Sequence, residues 1–296
     1  MRNYVIKGTI CYSKTSDEFC IIENGYVVCE NSRCAGTYID LPKCYEAFPC
    51  YDYENKIVLP GLVDLYLDAP GYAVRGFGMN LTEEERQAVY VEKETEKYGD
   101  LSYADKAYDI FVEDLRNSAI TRACVFGTVH ADATSLLMKK IEVSGLKALI
   151  GVREGSIAGL NAEEFENVKL LDPEVPIGKG IKEGLERKVL AGSSLSIFRA
   201  MAARHSKYLL AGLELNEKPE TLEQIFYQVT EGAGKYFGKV GSFERDYAFD
   251  AVVIDDSSIK HPWELTVRER LERLMYLARE EYVVAKFVDG KKIFDK

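Results

Sequence analysis

The chain has 296 residues, 47% of them hydrophobic and 29% charged, which suits one large domain or two modest ones and argues against wholesale disorder. A formal net charge of −10 gives the surface no general attraction for phosphate backbones, so a general nucleic-acid binder is not expected. The start, Met1 to Gly8, lacks the apolar core of a secretory signal, and no apolar run approaches the ~20 residues that span a bilayer, so a cytoplasmic protein without a membrane partner is expected.

In chain order, residues 1–56 read as short strands broken by turns, with apolar stretches at Val5–Tyr12, Phe19–Ile22 and Tyr26–Cys29 around the turn signal Glu23-Asn24-Gly25. Ile57 to Leu67 is a dense apolar run, as expected of a strand buried on both faces. A helix-friendly stretch from Thr82 to Asn117 follows. Its acidic start, Glu83-Glu84-Glu85, suits a helix N-terminus, and Ala104, Ala107, Tyr108, Phe111 and Leu115 recur at helical spacing. Thr121–Thr128 and Lys147–Val152 read as strands flanking a helix over 135–144, which is the rhythm of a parallel sheet. A short helix is expected over 162–171, a strand over 177–181, and helices over 194–215 and from Pro219 toward Gly238. β structure returns at Tyr247–Ile254. Thr266 and Glu269 are spaced as a capping box for a helix running to Arg279, and a strand at Val283–Val288 meets a turn at Asp289-Gly290. No internal repeat or low-complexity tract is present.

Six of the seven cysteines, Cys11, Cys20, Cys29, Cys34, Cys44 and Cys50, fall in the first fifty residues. Zinc sites favour pairs two to four residues apart. Cys29 and Cys34 come closest to that spacing and no second pair matches, so reduced strand cysteines are the expectation. Cys124 reads as a buried apolar residue. There are three histidines, His130, His205 and His261, with no two close in sequence. His205 reads as a helix-surface residue and His261, before Pro262, as a turn residue. Gly192-Ser193-Ser194 reads as a helix start, and Gly232-Ala233-Gly234 is too short for a phosphate loop.

Three groups of segments resemble one family. Val58-Leu59-Pro60-Gly61-Leu62-Val63-Asp64 is similar to the strand of the amidohydrolase superfamily that leads into a His-x-His metal pair. Ala69-Pro70-Gly71-Tyr72, Thr121-Arg122-Ala123-Cys124 and Thr128-Val129-His130 narrow the resemblance to the guanine deaminase family. Residues 194–201, 238–243 and 249–254 agree with it. The resemblance implies hydrolytic deamination of guanine to xanthine, with zinc acidifying a bound water and carboxylates moving protons. It also implies a (β/α)8 barrel beside a small β-sandwich built from both chain ends. The chain from 57 to 212 is too short for a barrel of ~250 residues, so the fold expected is α/β: an incomplete TIM-like barrel of about four units over 57–238, and a composite sandwich of 1–56 with 239–296.

At the positions that matter for chemistry the chain departs from the family. Tyr66 and Asp68 stand where the His-x-His pair belongs, and Lys182, in Gly180-Ile181-Lys182, stands where the family places a metal-binding aspartate. Gly71 takes the place of the glutamine that contacts the purine. The family's four metal histidines exceed the three in the whole chain. No metal site, no catalytic residue and no cofactor are therefore expected. The alternative constellation weighed against this is Asp68, His130, Glu154 and Glu183, which lie near the C-terminal ends of predicted strands. As a carboxylate-rich set it would suit a hard cation such as magnesium or manganese. The leading expectation is a deaminase-like protein without zinc-dependent deamination, acting as a binding or assembly component or a remnant. It would associate with a second copy or a related chain that completes the barrel, with a purine as a possible ligand. The alternative is a zinc-dependent hydrolase acting on guanine or a related purine, its site completed by the partner chain.

Overall fold

A computed structural model of the protein describes residues 2–152, 159–171, 195–215 and 220–296. The chain divides into two compact units, Met1–Val63 with Asn117–Thr121 and Ser196–Lys296, and Asp64–Arg116 with Arg122–Leu195. The helices over 197–215 and 222–227, placed by the sequence within 57–238, fall in the first unit.

The first unit is built on strands from both chain ends. β1 (Tyr4–Ser13), β2 (Phe19–Glu30), β3 (Arg33–Tyr38), β4 (Cys50–Pro60), β9 (Ala251–Ile254), β10 (Val283–Val288) and β11 (Lys291–Asp295) form one seven-stranded sheet in the order β11-β10-β9-β4-β1-β2-β3. In place of the expected sandwich, the described strands of both chain ends form one continuous ladder. β4 is the reason: it pairs parallel with β1 on one side and antiparallel with β9 on the other, so its two rows of backbone groups bond the N-terminal strands to the C-terminal ones. Side chains alternate across the sheet. Tyr4, Ile6, Val27, Cys29, Cys34, Val58, Phe249 and Phe287 share one core cluster, while Val5, Val28, Ala35 and Tyr45 form another. Turn chemistry holds as read: Asp289 and Gly290 take φ of 45° and 70°, the left-handed pair a two-residue hairpin needs. The Thr266–Glu269 capping box forms in both directions at the start of the helix Val267–Leu277.

The other sheet has four strands among the described residues, in the order β5-β6-β7-β8: β5 (Leu62–Asp68), β6 (Ile120–Gly127), β7 (Lys147–Val152) and β8 (Val168–Leu170). β6, β7 and β8 pair parallel, and the bonds Leu62 N to Ala119 O and Ala69 N to Phe126 O set β5 parallel to β6. The helices Leu101–Asn117 and Ala131–Ser144 lie between successive strands. The first buries Ala104, Tyr108, Phe111, Val112 and Leu115, the stripe the sequence spacing marks, with Val112 added and Ala107 only half-buried. β8 corrects the helix expected over 162–171. The 167–168 step is clamped by Glu142, whose carboxylate accepts from Asn167 N at 2.7 Å and Asn167 Nδ2 at 3.1 Å, and Val168 is then buried against β7. Three residues are too short a strand for period-two alternation to outweigh the helical spacing of Phe165 and Val168. The strand expected over 177–181 lies outside the described residues.

Gly61 marks the passage from β4 into β5. A Cβ there would stand 2.1 Å from Thr121 Oγ1, so only glycine lets Thr121 approach and donate to Leu62 O at 3.3 Å. Gly61→Ala is expected to lower stability by about 1–3 kcal/mol, the range for overpacking a tight core, read from the urea midpoint.

Candidate functional site

β5 carries the positions at which the resemblance places a metal pair. Its burial alternates: Leu65 and Leu67 are buried on one face, and Asp64, Tyr66 and Asp68 are half-buried on the other. Tyr66 and Asp68 therefore project side by side, as a His-x-His pair would. The rest of their setting is not that of metal ligands. The Tyr66 ring packs on Phe126 at the end of β6, with centroids 4.7 Å apart. Asp68 folds back on the 3-10 turn Pro70–Val74, its Oδ1 accepting from Gly71 N at 3.3 Å. A Cβ on residue 71 would lie 2.6 Å from Asp68 Oδ2. The aspartate carboxylate thus fills the room a side chain on 71 would need, and the two departures from the family motif are one packing event.

Around this turn stands a set of phenols. Tyr98 OH donates to Pro70 O at 3.4 Å and its ring lies 4.9 Å from that of Tyr108. Both rings are fully buried, and the Tyr108 hydroxyl has no hydrogen-bond partner among the described residues. Burial pushes both phenols up, with the Asp68 carboxylate adding to the effect, so they stay protonated at neutral pH. Further out, Tyr72 OH donates to Asp114 at 2.6 Å, and the Arg75 guanidinium lies 3.9 Å over the Tyr72 ring. Tyr108 reads from sequence as helix core. Tyr98 carries no periodic signal in its Tyr-Gly-Asp loop and was not anticipated.

Of the alternative set, Glu154 and Glu183 lie outside the described residues, as does Lys182. His130 sits at the start of the helix Ala131–Ser144, its backbone N donating to Thr128 Oγ1 at 3.2 Å while its ring lies along Gly99. Among the described residues no three His, Cys, Asp or Glu side chains gather where they could hold a metal ion. Zinc does not fit the donors that the described residues offer at the end of β5. A phenol packed on phenylalanine and a carboxylate accepting from a backbone amide stand where the resemblance places two imidazoles.

The remaining candidates have local roles. Cys124 is buried in β6, and all seven cysteines are free thiols. His205 Nδ1 meets Tyr276 OH, and His261 Nδ1 lies 3.3 Å from Trp263 O. No described helix is long and apolar enough to cross a membrane.

Gly71→Ala is expected to cost about 1–3 kcal/mol in the native chain and less than half that in an Asp68→Ala background. Equal costs in the two backgrounds, measured by urea unfolding of all four proteins in the cycle, would show that Asp68 does not fill the space.

No protein-family model matches the chain. Stretches of it are similar to guanine deaminases: 30% identity over 100 residues to that of Dictyostelium discoideum and 29% over 106 residues to that of Mus musculus. These stretches make up 34% and 35% of this chain, and only 22% and 23% of those proteins. In fold it resembles the crystal structure of guanine deaminase from C. acetobutylicum with guanine in its active site, with a TM-score of 0.86 at 23% identity over 99% of this chain and 100% of that one. Sequence and fold point the same way: stretches of the chain are similar to guanine deaminases, and its fold is that of solved guanine deaminase structures.

Proposed function

We propose that this chain has left zinc-dependent deamination and serves as a binding or assembly component built on an open part of a (β/α) barrel. The observation that carries the reading is the pairing of Asp68 with Gly71. One position of the metal pair is committed to a backbone amide, and the position that would contact a purine has no side chain. Tyr66, the other member of the pair, packs its ring on Phe126. A chain with three histidines also has fewer imidazoles than the family's metal set uses.

A purine is the ligand class to test, since the C. acetobutylicum structure holds guanine in its active site. The parallel sheet ends at β5 and β8 among the described residues. Four described strands are half of a closed barrel's eight, so the partner class to test is another chain, either a second copy or a related protein that completes the barrel.

Two measurements test this reading. The purified protein is expected to carry no stoichiometric zinc and to leave the absorbance of guanine unchanged, with or without added metal. Stoichiometric zinc accompanied by turnover to xanthine would overturn the loss of deamination. Light scattering at micromolar concentration is expected to give a mass above the monomer, and a clean monomer that exposes no dye-binding apolar surface would remove the assembly role.

A further inference from the structure

β2 and β3 are joined by Asn31 and Ser32, whose φ angles of 52° and 65° make a two-residue hairpin turn. Glu30 and Arg33 flank the turn, and the next pair outward is Cys29 opposite Cys34. In such a hairpin the flanking pair exchanges backbone hydrogen bonds, so the next pair does not, and its side chains stand closer together. The structure bears this out at Cys34. Its N–H donates to Tyr247 O at 2.9 Å and its C=O accepts from Asp246 N at 2.9 Å, so both backbone groups face away from β2. A non-bonded pair has Cα atoms ~4.5 Å apart, inside the ~4.4–6.8 Å that a disulfide spans. Both thiols are free, both are buried, and both enter the same core cluster. Cys11 and Cys20, on the neighbouring pair of strands, are one register step apart and so point to opposite faces.

We propose that Cys29 and Cys34 form an oxidisable dithiol that a peroxide converts to a cross-strand disulfide within the β2–β3 hairpin. One sulfur, as thiolate, attacks a peroxide oxygen. The O–O bond breaks, water leaves and a sulfenic acid remains. The second thiol's sulfur attacks the sulfenic sulfur and expels its hydroxyl as water, which forms the S–S bond. The two sulfurs together lose two electrons, and one hydrogen peroxide becomes two waters. Burial pushes the Cys29 thiol up to about 11 and the Cys34 thiol up to about 12, so the reaction is slow at neutral pH and quickens as pH rises.

The test uses the whole native chain. Exposed Cys44 and Cys50 are first blocked with iodoacetamide, the protein is treated with hydrogen peroxide, and remaining thiols are alkylated after unfolding. Trypsin cuts after Lys14, Arg33 and Lys43, so the bond would join the peptide 15–33 to the peptide 34–43. The linked species is expected to form, to rise in rate by roughly tenfold per pH unit up to about pH 9, and to persist in Cys20→Ser. Recovery of Cys34 as a free thiol, at a peroxide dose that oxidises Cys44 in unblocked protein, would overturn the proposal. Loss of the link in Cys20→Ser would overturn it too, by assigning the bond to Cys20.

Discussion

The passage from β4 into β5 is the constraint on which the rest depends. Pro60 ends one strand, Gly61 N donates to Asp250 O at 3.0 Å, and Leu62 N donates to Ala119 O at 3.3 Å. Within three residues the backbone leaves the C-terminal strands and takes up the start of β6. This is possible because Gly61 has no Cβ to meet Thr121, and Thr121 in turn caps Leu62 O. Nearby, Lys286, fully buried in β10, donates to Ile120 O at 2.8 Å. A buried amine is stable only where an acceptor is placed for it, and the carbonyl at the start of β6 supplies one. The register of β5 follows, and with it the face on which Tyr66 and Asp68 emerge.

That register explains how a chain with the fold of solved guanine deaminases can hold different side chains at the end of this strand. The strand still delivers two side chains to one face, two residues apart. What has changed is where they are held. An imidazole pair would project toward a common cation, whereas Asp68 turns back to the Gly71 amide and Tyr66 lies on Phe126. Buried phenols at Tyr98 and Tyr108 line the adjacent region and stay neutral.

Much of the architecture was legible because it follows from local chemistry. The β7 and β10 strands, the Thr266 capping box and the Asp289-Gly290 turn each rest on a short-range rule that neighbours do not override. The departures of Tyr66, Asp68 and Gly71 could be read one by one against the family motif. Their interdependence could not, because it is a steric fact between a carboxylate oxygen and an absent Cβ. β8 was misread for a related reason: its conformation is imposed by Glu142, a residue twenty-five positions upstream of Asn167. Likewise the continuity of the seven-stranded sheet rests on β4 pairing with strands from both ends of the chain, a long-range choice that alternation alone does not encode.

The cysteines show the same division between what spacing tells and what register tells. As a sequence, Cys29 and Cys34 form a poor metal pair and no more. The turn residues between them decide otherwise, because two left-handed residues at Asn31 and Ser32 place the two cysteines opposite one another on the same face. A three-residue loop would shift the register and send one thiol to the other side of the sheet. Six cysteines within the first fifty residues are thus not equivalent. Cys44 and Cys50 face water, Cys11 lies in the sheet interior, and only Cys29 and Cys34 combine burial with an in-register partner thiol. The chemistry this permits lies in the sheet built from the chain ends and needs none of the residues at the end of β5.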